Sequence, residues 1–327
     1  MTGPVVLVTA RSFGTGTRDL SAELSADGVR VLRGPADHDV TALAPLLAGA
    51  DAWIAGTGPV TDAHLAAAPR LRIVARYGVG VDAFDLAAAG RRGVLVTNTP
   101  GANSGAVADH TVALLLAALR GVAAGDRRVR EGSWSVGERA RELGSLTVGV
   151  VGFGRIGRGV AARLRGFGCR VLATDPFVPA ADIAAAGAEP VAPEVIPVEA
   201  DVVTLHAPGD TLVVDEDWLA TAAPGLVLVN TARAGLVDEA ALARALQDGR
   251  VATYAADTLS TEAGGAESPL LVGSLADRVT VTPHTAAQTV QAVDLMGLGA
   301  VAAVRAVLAG GEPDPAVVVV GRERLLT

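Results

Sequence analysis

Apolar residues in this chain come in short unbroken runs rather than in strict alternation. The runs Val5–Thr9, Val29–Leu32, Ala52–Ala55, Ile73–Arg76 and Val94–Thr97 read as strands. Alanine-rich stretches at Thr17–Ala26, Thr41–Ala48, Thr61–Ala67 and Phe84–Ala89 lie between them and read as helices. Asn103–Leu119 reads as one long helix, with Asn103 or Ser104 available as its cap. A glycine-containing, charged loop with Trp134 follows. A second series of strands is then predicted at Thr147–Val151, Arg170–Thr174, Val202–Leu205, Leu226–Asn230, Val251–Ala256 and Val279–Thr282, and a last helix at Ala286–Leu308. Strands separated by helices imply right-handed βαβ units and a mainly parallel α/β architecture. Runs without alternation suit strands covered on both faces. The second series looks self-contained, so a discontinuous domain, 1–100 plus 288–327, is expected to flank a continuous one, 101–287. Pro190–Pro197 reads as a surface connection, and the tail from Pro313 as polar with a short valine run. Gly297 and Gly299 inside the last helix each cost about 1 kcal/mol relative to Ala, which close helix packing would explain.

One turn in the second series carries chemistry. Gly152, Gly154 and Gly157 follow an apolar strand and open a helix. In that context Gly152 permits a tight turn, Gly154 lets the backbone approach a pyrophosphate, and Gly157 lets helix and strand pack closely. Free N–H groups at the helix start face the phosphates, with Arg155 beside them. Asp175 ends the next strand, where an acid accepts hydrogen bonds from ribose hydroxyls and repels a 2′-phosphate. Pro176 and Phe177, not arginine, come next, so NAD is expected over NADP.

Three further residues sit at or just beyond predicted strand ends: Arg233, Glu262 and His284. Ligands of open parallel sheets bind at the carboxyl ends of strands. Taken singly, these are equally an exposed loop arginine, a solvated glutamate and a helix-capping histidine. Together they supply a carboxylate clamp, an acid and a proton-transfer group.

Composition narrows the partners. Half of the 327 residues are hydrophobic but only 3% are aromatic, so the core must be built from Ala, Val and Leu. A net charge of −8 without a basic patch argues against nucleic acid and anionic membranes. The single cysteine, Cys169, offers neither an internal disulfide nor a metal cluster. No signal peptide or membrane span is read from the sequence, and a cytoplasmic location is expected.

The chain resembles the NAD-dependent D-isomer-specific 2-hydroxyacid dehydrogenases over nearly its whole length. The motifs that carry the resemblance are Tyr77-Gly-Val-Gly-Val-Asp82, Val96-Thr-Asn-Thr-Pro-Gly-Ala-Asn103, Val107-Ala-Asp-His-Thr111, the Gly152–Asp175 unit, Val229-Asn-Thr-Ala-Arg-Ala-Gly-Leu-Val-Asp-Glu239 and Thr282-Pro-His284. It implies two Rossmann-like domains around a cleft, commonly as a homodimer. It implies Arg233, Glu262 and His284 as catalytic residues. Cofactor contacts are implied at Gly152, Gly154, Arg155, Ile156, Gly157, Asp175, His206, Ala207, Pro208, Thr231, Ala232 and Asp257, the last toward the nicotinamide carboxamide. Substrate contacts are implied at Arg76, Gly78, Val79, Gly80, Arg233 and His284, without a metal. Arg76 matches an arginine that faces the substrate phosphate in 3-phosphoglycerate dehydrogenases, so a phosphorylated 2-hydroxy acid is one expected substrate. No C-terminal regulatory domain is expected. A phosphite- or phosphonate-oxidising relative and an NAD-sensing corepressor-type binding protein are the alternatives. The chain departs from the pattern where Ala234 replaces a glycine, where Ala263 replaces a proline in the glycine-containing segment Thr258–Glu267, and at Thr285-Ala286.

Overall fold

A computed structural model describes residues 3–135, 137, 140–209, 211–263 and 267–321. The end of the valine-bearing tail, 322–327, and part of the glycine-containing segment, 264–266, lie outside the described residues. The chain divides into two compact units, Met1–Asn103 with Ala287–Thr327, and Ser104–Ala286.

The first unit holds five parallel strands: β1 (Val5–Val8), β2 (Arg30–Arg33), β3 (Ala52–Ala55), β4 (Ile73–Arg76) and β5 (Leu95–Thr97). Their spatial order is β5-β4-β3-β1-β2, and Val318–Val320 pairs antiparallel with β5 at the edge. The order reverses between β1 and β3, as in one common doubly wound sheet. The sheet interior is apolar: its inner strands β1 and β3 are buried at every position. Helix Val290–Leu308 is long and apolar enough to cross a membrane by length and composition. Val293, Met296, Ala300 and Val304 are nevertheless buried, and the Tyr77 hydroxyl donates to the Val293 carbonyl at 2.8 Å. A Cβ on Gly297 would stand 2.1 Å from Leu20, and one on Gly299 2.9 Å from Thr99. Both glycines therefore serve close packing within the unit.

The second unit is a seven-stranded parallel sheet: β6 (Thr147–Val151), β7 (Arg170–Thr174), β8 (Glu189–Pro190), β9 (Val202–Leu205), β10 (Leu226–Asn230), β11 (Val251–Ala256) and β12 (Val279–Val281). Its order, β12-β11-β10-β9-β6-β7-β8, reverses between β6 and β9, the switch point of a dinucleotide-binding sheet. Cores lie on both faces. Phe153, Val160 and Leu164 pack on one, with Leu228, Leu242 and Tyr254 on the other.

Several elements differ from the sequence-based expectation. The stretch after Gly121 is a helix, Val122–Arg130, because Gly121 takes a left-handed φ of 60° and lets the chain turn and restart. Pro190 belongs to edge strand β8, and Val195–Glu199 is helical. The tail's valines form a strand because β5 offers them an open edge. The last helix begins at Val290, capped by the Thr289 hydroxyl, which accepts from the Ala292 N–H.

Candidate active site

The Gly152 turn has the geometry that its sequence requires. Gly152 takes φ +90°, and a Cβ there would lie 2.6 Å from the His206 carbonyl carbon, so β6 and the end of β9 touch backbone to backbone. A Cβ on Gly157 would stand 2.1 Å from the Gly152 oxygen, which keeps helix Arg155–Leu164 tight on its strand. Around Gly154, by contrast, a Cβ would meet nothing within 4 Å. Gly154 caps the helix and is exposed with Arg155, so the helix start borders free space there. That space suits a pyrophosphate.

Asp175 stands at the end of β7. Its carboxylate accepts from the N–H groups of Phe153 at 2.7 Å, Phe177 at 2.8 Å and Val178 at 3.1 Å. It therefore braces the glycine turn. Beyond β9, the His206 N–H donates to Val151 at 2.7 Å and its Nε2 meets the Thr204 hydroxyl at 3.0 Å. Its Nδ1 is buried with no hydrogen-bond partner among the described residues, and burial pushes the ring's pKa down to about 3. Ala207 and Pro208 follow it along the same rim. Thr231 is buried, and its hydroxyl meets that of Thr111 at 2.7 Å. Because Thr111 donates to the Val107 carbonyl, Thr231 is the donor in that pair.

Strands β10, β11 and β12 are parallel neighbours, so the loops that follow them leave the same edge of the sheet. Arg233 follows β10 in extended backbone, φ −142° and ψ 142°. Asn230, the last residue of β10, fixes this turn: its amide donates to the Arg233 carbonyl at 2.8 Å and accepts from the Ala232 N–H at 3.0 Å. Ala234 begins a short 3₁₀ turn and does not have positive φ, so alanine fits where the family carries glycine. Close approach is needed instead at Gly209, where a Cβ would lie 2.4 Å from the Arg233 side chain.

Glu262 lies in the 3₁₀ turn Ser260–Ala263 after β11. One carboxylate oxygen accepts from the Leu259 N–H at 3.1 Å, and the other lies 2.7 Å from His284 Nδ1. Nδ1 is therefore the protonated nitrogen facing the carboxylate, and Nε2 makes no hydrogen bond among the described residues. His284 itself has φ +52°. Asp257 holds this strained turn. It is 1% exposed, and it accepts from the Thr282 hydroxyl at 2.5 Å, the Thr285 N–H at 2.9 Å and the Ala286 N–H at 2.8 Å. Its carbonyl also accepts the His284 N–H at 3.0 Å. The resemblance implies Asp257 as a cofactor contact; its carboxylate also anchors the histidine turn. Asn230 and Thr282 are not picked out from sequence, although each is a polar residue closing an apolar strand.

In the first unit, the loop Tyr77–Gly80 is pinned by its carbonyls. Gly78 O accepts from the Thr99 N–H at 2.9 Å, Val79 O from the Asn98 amide at 2.8 Å, and Gly80 O from Arg76 Nε at 2.7 Å. Arg76 also donates to the Tyr77 carbonyl. A trans peptide sends its N–H opposite its carbonyl, so the amides of Val79 and Gly80 point away from these anchors. Gly78 has φ +133°, and a Cβ there would stand 2.9 Å from the Arg76 guanidinium. Arg76 thus spends two of its nitrogens on carbonyls of its own loop.

Comparison with known proteins agrees with this construction. The family model "D-isomer specific 2-hydroxyacid dehydrogenase, NAD binding domain" matches residues 112–286. D-3-phosphoglycerate dehydrogenase of Mycobacterium leprae is 41% identical over 312 residues, which is 94% of this chain and 57% of that protein. The chain thus spans little more than half the length of this relative. A glyoxylate reductase of Korarchaeum cryptofilum is 39% identical over 238 residues, 70% of this chain and 71% of that one. Among solved structures, D-lactate dehydrogenase from Aquifex aeolicus, complexed with NAD and lactic acid, superposes with a TM-score of 0.83 at 28% identity, covering 97% of this chain and 99% of that one. The fold, the glycine turn and these likenesses converge: the chain belongs to the D-isomer specific 2-hydroxyacid dehydrogenase family.

Proposed function

We propose that this chain is an NAD-dependent oxidoreductase that interconverts a D-2-hydroxy acid and its 2-oxo acid. The observation that carries this reading is the 2.7 Å pair of His284 and Glu262 at the edge of the sheet that also bears the Gly152 turn. The open space at Gly154 fits a dinucleotide's pyrophosphate, held by Gly152, Gly154, Arg155, Ile156 and Gly157. Asp175 takes the adenosine ribose. The rim from His206 to Pro208, with Thr231, Ala232 and Asp257, takes the rest of the cofactor. NAD, when bound, supplies or accepts the hydride.

The remaining work falls to side chains of this protein. His284 gives the proton at Nε2 to the substrate's C2 oxygen during reduction and takes it back during oxidation. Glu262 accepts from Nδ1–H in both directions, fixing the tautomer and the orientation of the ring. Arg233 pairs with the substrate carboxylate and draws electron density toward the C2 oxygen. In the first unit the Val79 and Gly80 amides, oriented by Gly78, are donors that suit a carboxylate. The name of the mycobacterial relative supports 3-phosphoglycerate among the hydroxy acids. Arg76 adds less to that choice than its position suggests, because Nε and Nη1 face the carbonyls of Gly80 and Tyr77. We also infer a cytoplasmic homodimer acting on small acids, with neither nucleic acid nor membrane as partner. The net charge of −8 and an 84% exposed Trp134 support that inference.

The test is NADH oxidation with 3-phosphohydroxypyruvate, hydroxypyruvate, glyoxylate and pyruvate. Steady turnover with at least one acid is expected. Tight NADH binding without turnover on any of them would replace the reading with that of a cofactor-sensing protein.

A further inference from the structure

We propose that Glu239 is a positioning residue for the Glu262–His284 pair. The inference rests on the activity proposed above. Glu239 opens helix Glu239–Gln247, but it does not cap that helix. Asp238 does so, accepting from the N–H groups of Ala240 and Ala241, both at 2.9 Å. The Glu239 carboxylate turns outward from its own helix instead, and the residue is only 9% exposed. Burying a carboxylate is costly unless its oxygens are hydrogen-bonded. Here one oxygen accepts from the Ser260 N–H at 2.7 Å, and the other from the Ser260 hydroxyl at 2.8 Å and the Ser268 hydroxyl at 2.5 Å.

Those donors bracket Glu262 in sequence. Ser260 begins its 3₁₀ turn, and Ser268 lies six positions beyond it. Within its own turn Glu262 is held by Leu259, whose N–H it accepts at 3.1 Å and whose carbonyl its own N–H meets at 3.2 Å. A tie from outside the turn fixes that turn against the rest of the sheet edge. Glu239 supplies that tie from a rigid helix. Ser268 spends its oxygen on the Leu270 N–H at 3.2 Å, so it links the tie to the next turn as well. Pre-organising a catalytic group through a neighbour on regular structure is how a catalytic geometry is kept within a fraction of an ångström.

The experiment is a double-mutant cycle read by kinetics with NADH and the best 2-oxo acid. Glu239→Gln should lower kcat by about ten- to a hundredfold, the scale of a small misplacement of a catalytic group, while KM for NADH is unchanged. In a Glu262→Gln background the same change should cost less than about twofold, because its effect runs through Glu262. An equal loss in both backgrounds would reduce Glu239 to a general support of the fold and overturn the inference, as would no loss at all. Should Glu239→Gln fail to fold, Ser268→Ala removes one of the three donors and is read in the same two backgrounds with the same criteria. Absence of turnover by the unaltered chain would overturn the activity and this inference together. Turnover by the unaltered chain with additive losses would overturn this inference alone.

Discussion

Two histidines, one in each unit, share an unusual backbone. His38 and His284 are the only non-glycine residues with positive φ among those described, at 60° and 52°. Such a conformation costs on the order of 1–3 kcal/mol for a residue with a side chain. What each unit does with the strained ring is opposite. His38 is 2% exposed and both its ring nitrogens are engaged. Nδ1 faces the Pro59 carbonyl at 3.0 Å, which can only accept, so Nδ1 carries the proton. Nε2 then accepts from the Thr9 hydroxyl at 2.6 Å, and Thr9 accepts from the Trp53 indole at 2.9 Å. His64 completes the cluster, its Nε2 donating to the His38 carbonyl at 2.8 Å. His284 is exposed, and only Nδ1 is held. A closed network makes a core, and one nitrogen left over among the described residues suits the proton transfer proposed for His284.

The sharpest way to break this contrast is to delete both rings. His284→Gln should lower kcat by about a thousandfold, within the range for removal of a general acid–base, with NADH affinity retained by fluorescence titration. Glu262→Gln should cost less, about a hundredfold, since the ring remains but loses its orientation. His38→Gln should leave kcat within about twofold and instead destabilise the fold by about 2 kcal/mol, through buried partners left unsatisfied, measured by urea unfolding. A large kcat loss in His38→Gln with unchanged stability would mean that the first unit's cluster takes part in chemistry, and the contrast would fail.

How much of this was legible differs by region. Short apolar runs identified most of the parallel strands, because a strand covered on both faces must be apolar at every position. The glycine turn was legible because its spacing answers to backbone geometry: Gly152 needs positive φ and Gly157 needs room. The helix after Gly121 and the edge strand at Val318 were not, since one depends on a single left-handed residue and the other on a strand edge more than two hundred residues away in the chain. The same limit applies to side chains. Arg76 looks outward in sequence, yet it folds back onto carbonyls within four residues. Asp257 and Glu239 each brace a loop whose partners only the fold brings near. Nothing in the sequence around His38 marks it as core and His284 as exposed; the difference lies in Thr9, Trp53 and Pro59, which surround only the first.

The smallest expected effect tests the electrostatic half of the contrast. Burial lowers the pKa of His38 below its ordinary value of 6.5, against a weaker opposing hydrogen bond to Pro59. His64, Arg76 and Asp37 are the charged or titratable groups that act on it. In the unfolded chain the ring titrates near 6.5, so below that pH the unfolded state takes up a proton that the folded state refuses. Stability is therefore present in full above 6.5 and is lost as pH falls from there toward the lowered folded value. His206, also depressed by burial, acts with the same sign. Melting temperatures across about pH 8 to pH 5 should fall, and His38→Gln should fall less steeply, by about a few degrees over that window. Other groups contribute equally to both proteins, so the difference in slope isolates His38. Parallel slopes would mean that the folded ring accepts a proton after all, and that its two hydrogen bonds do not hold it neutral.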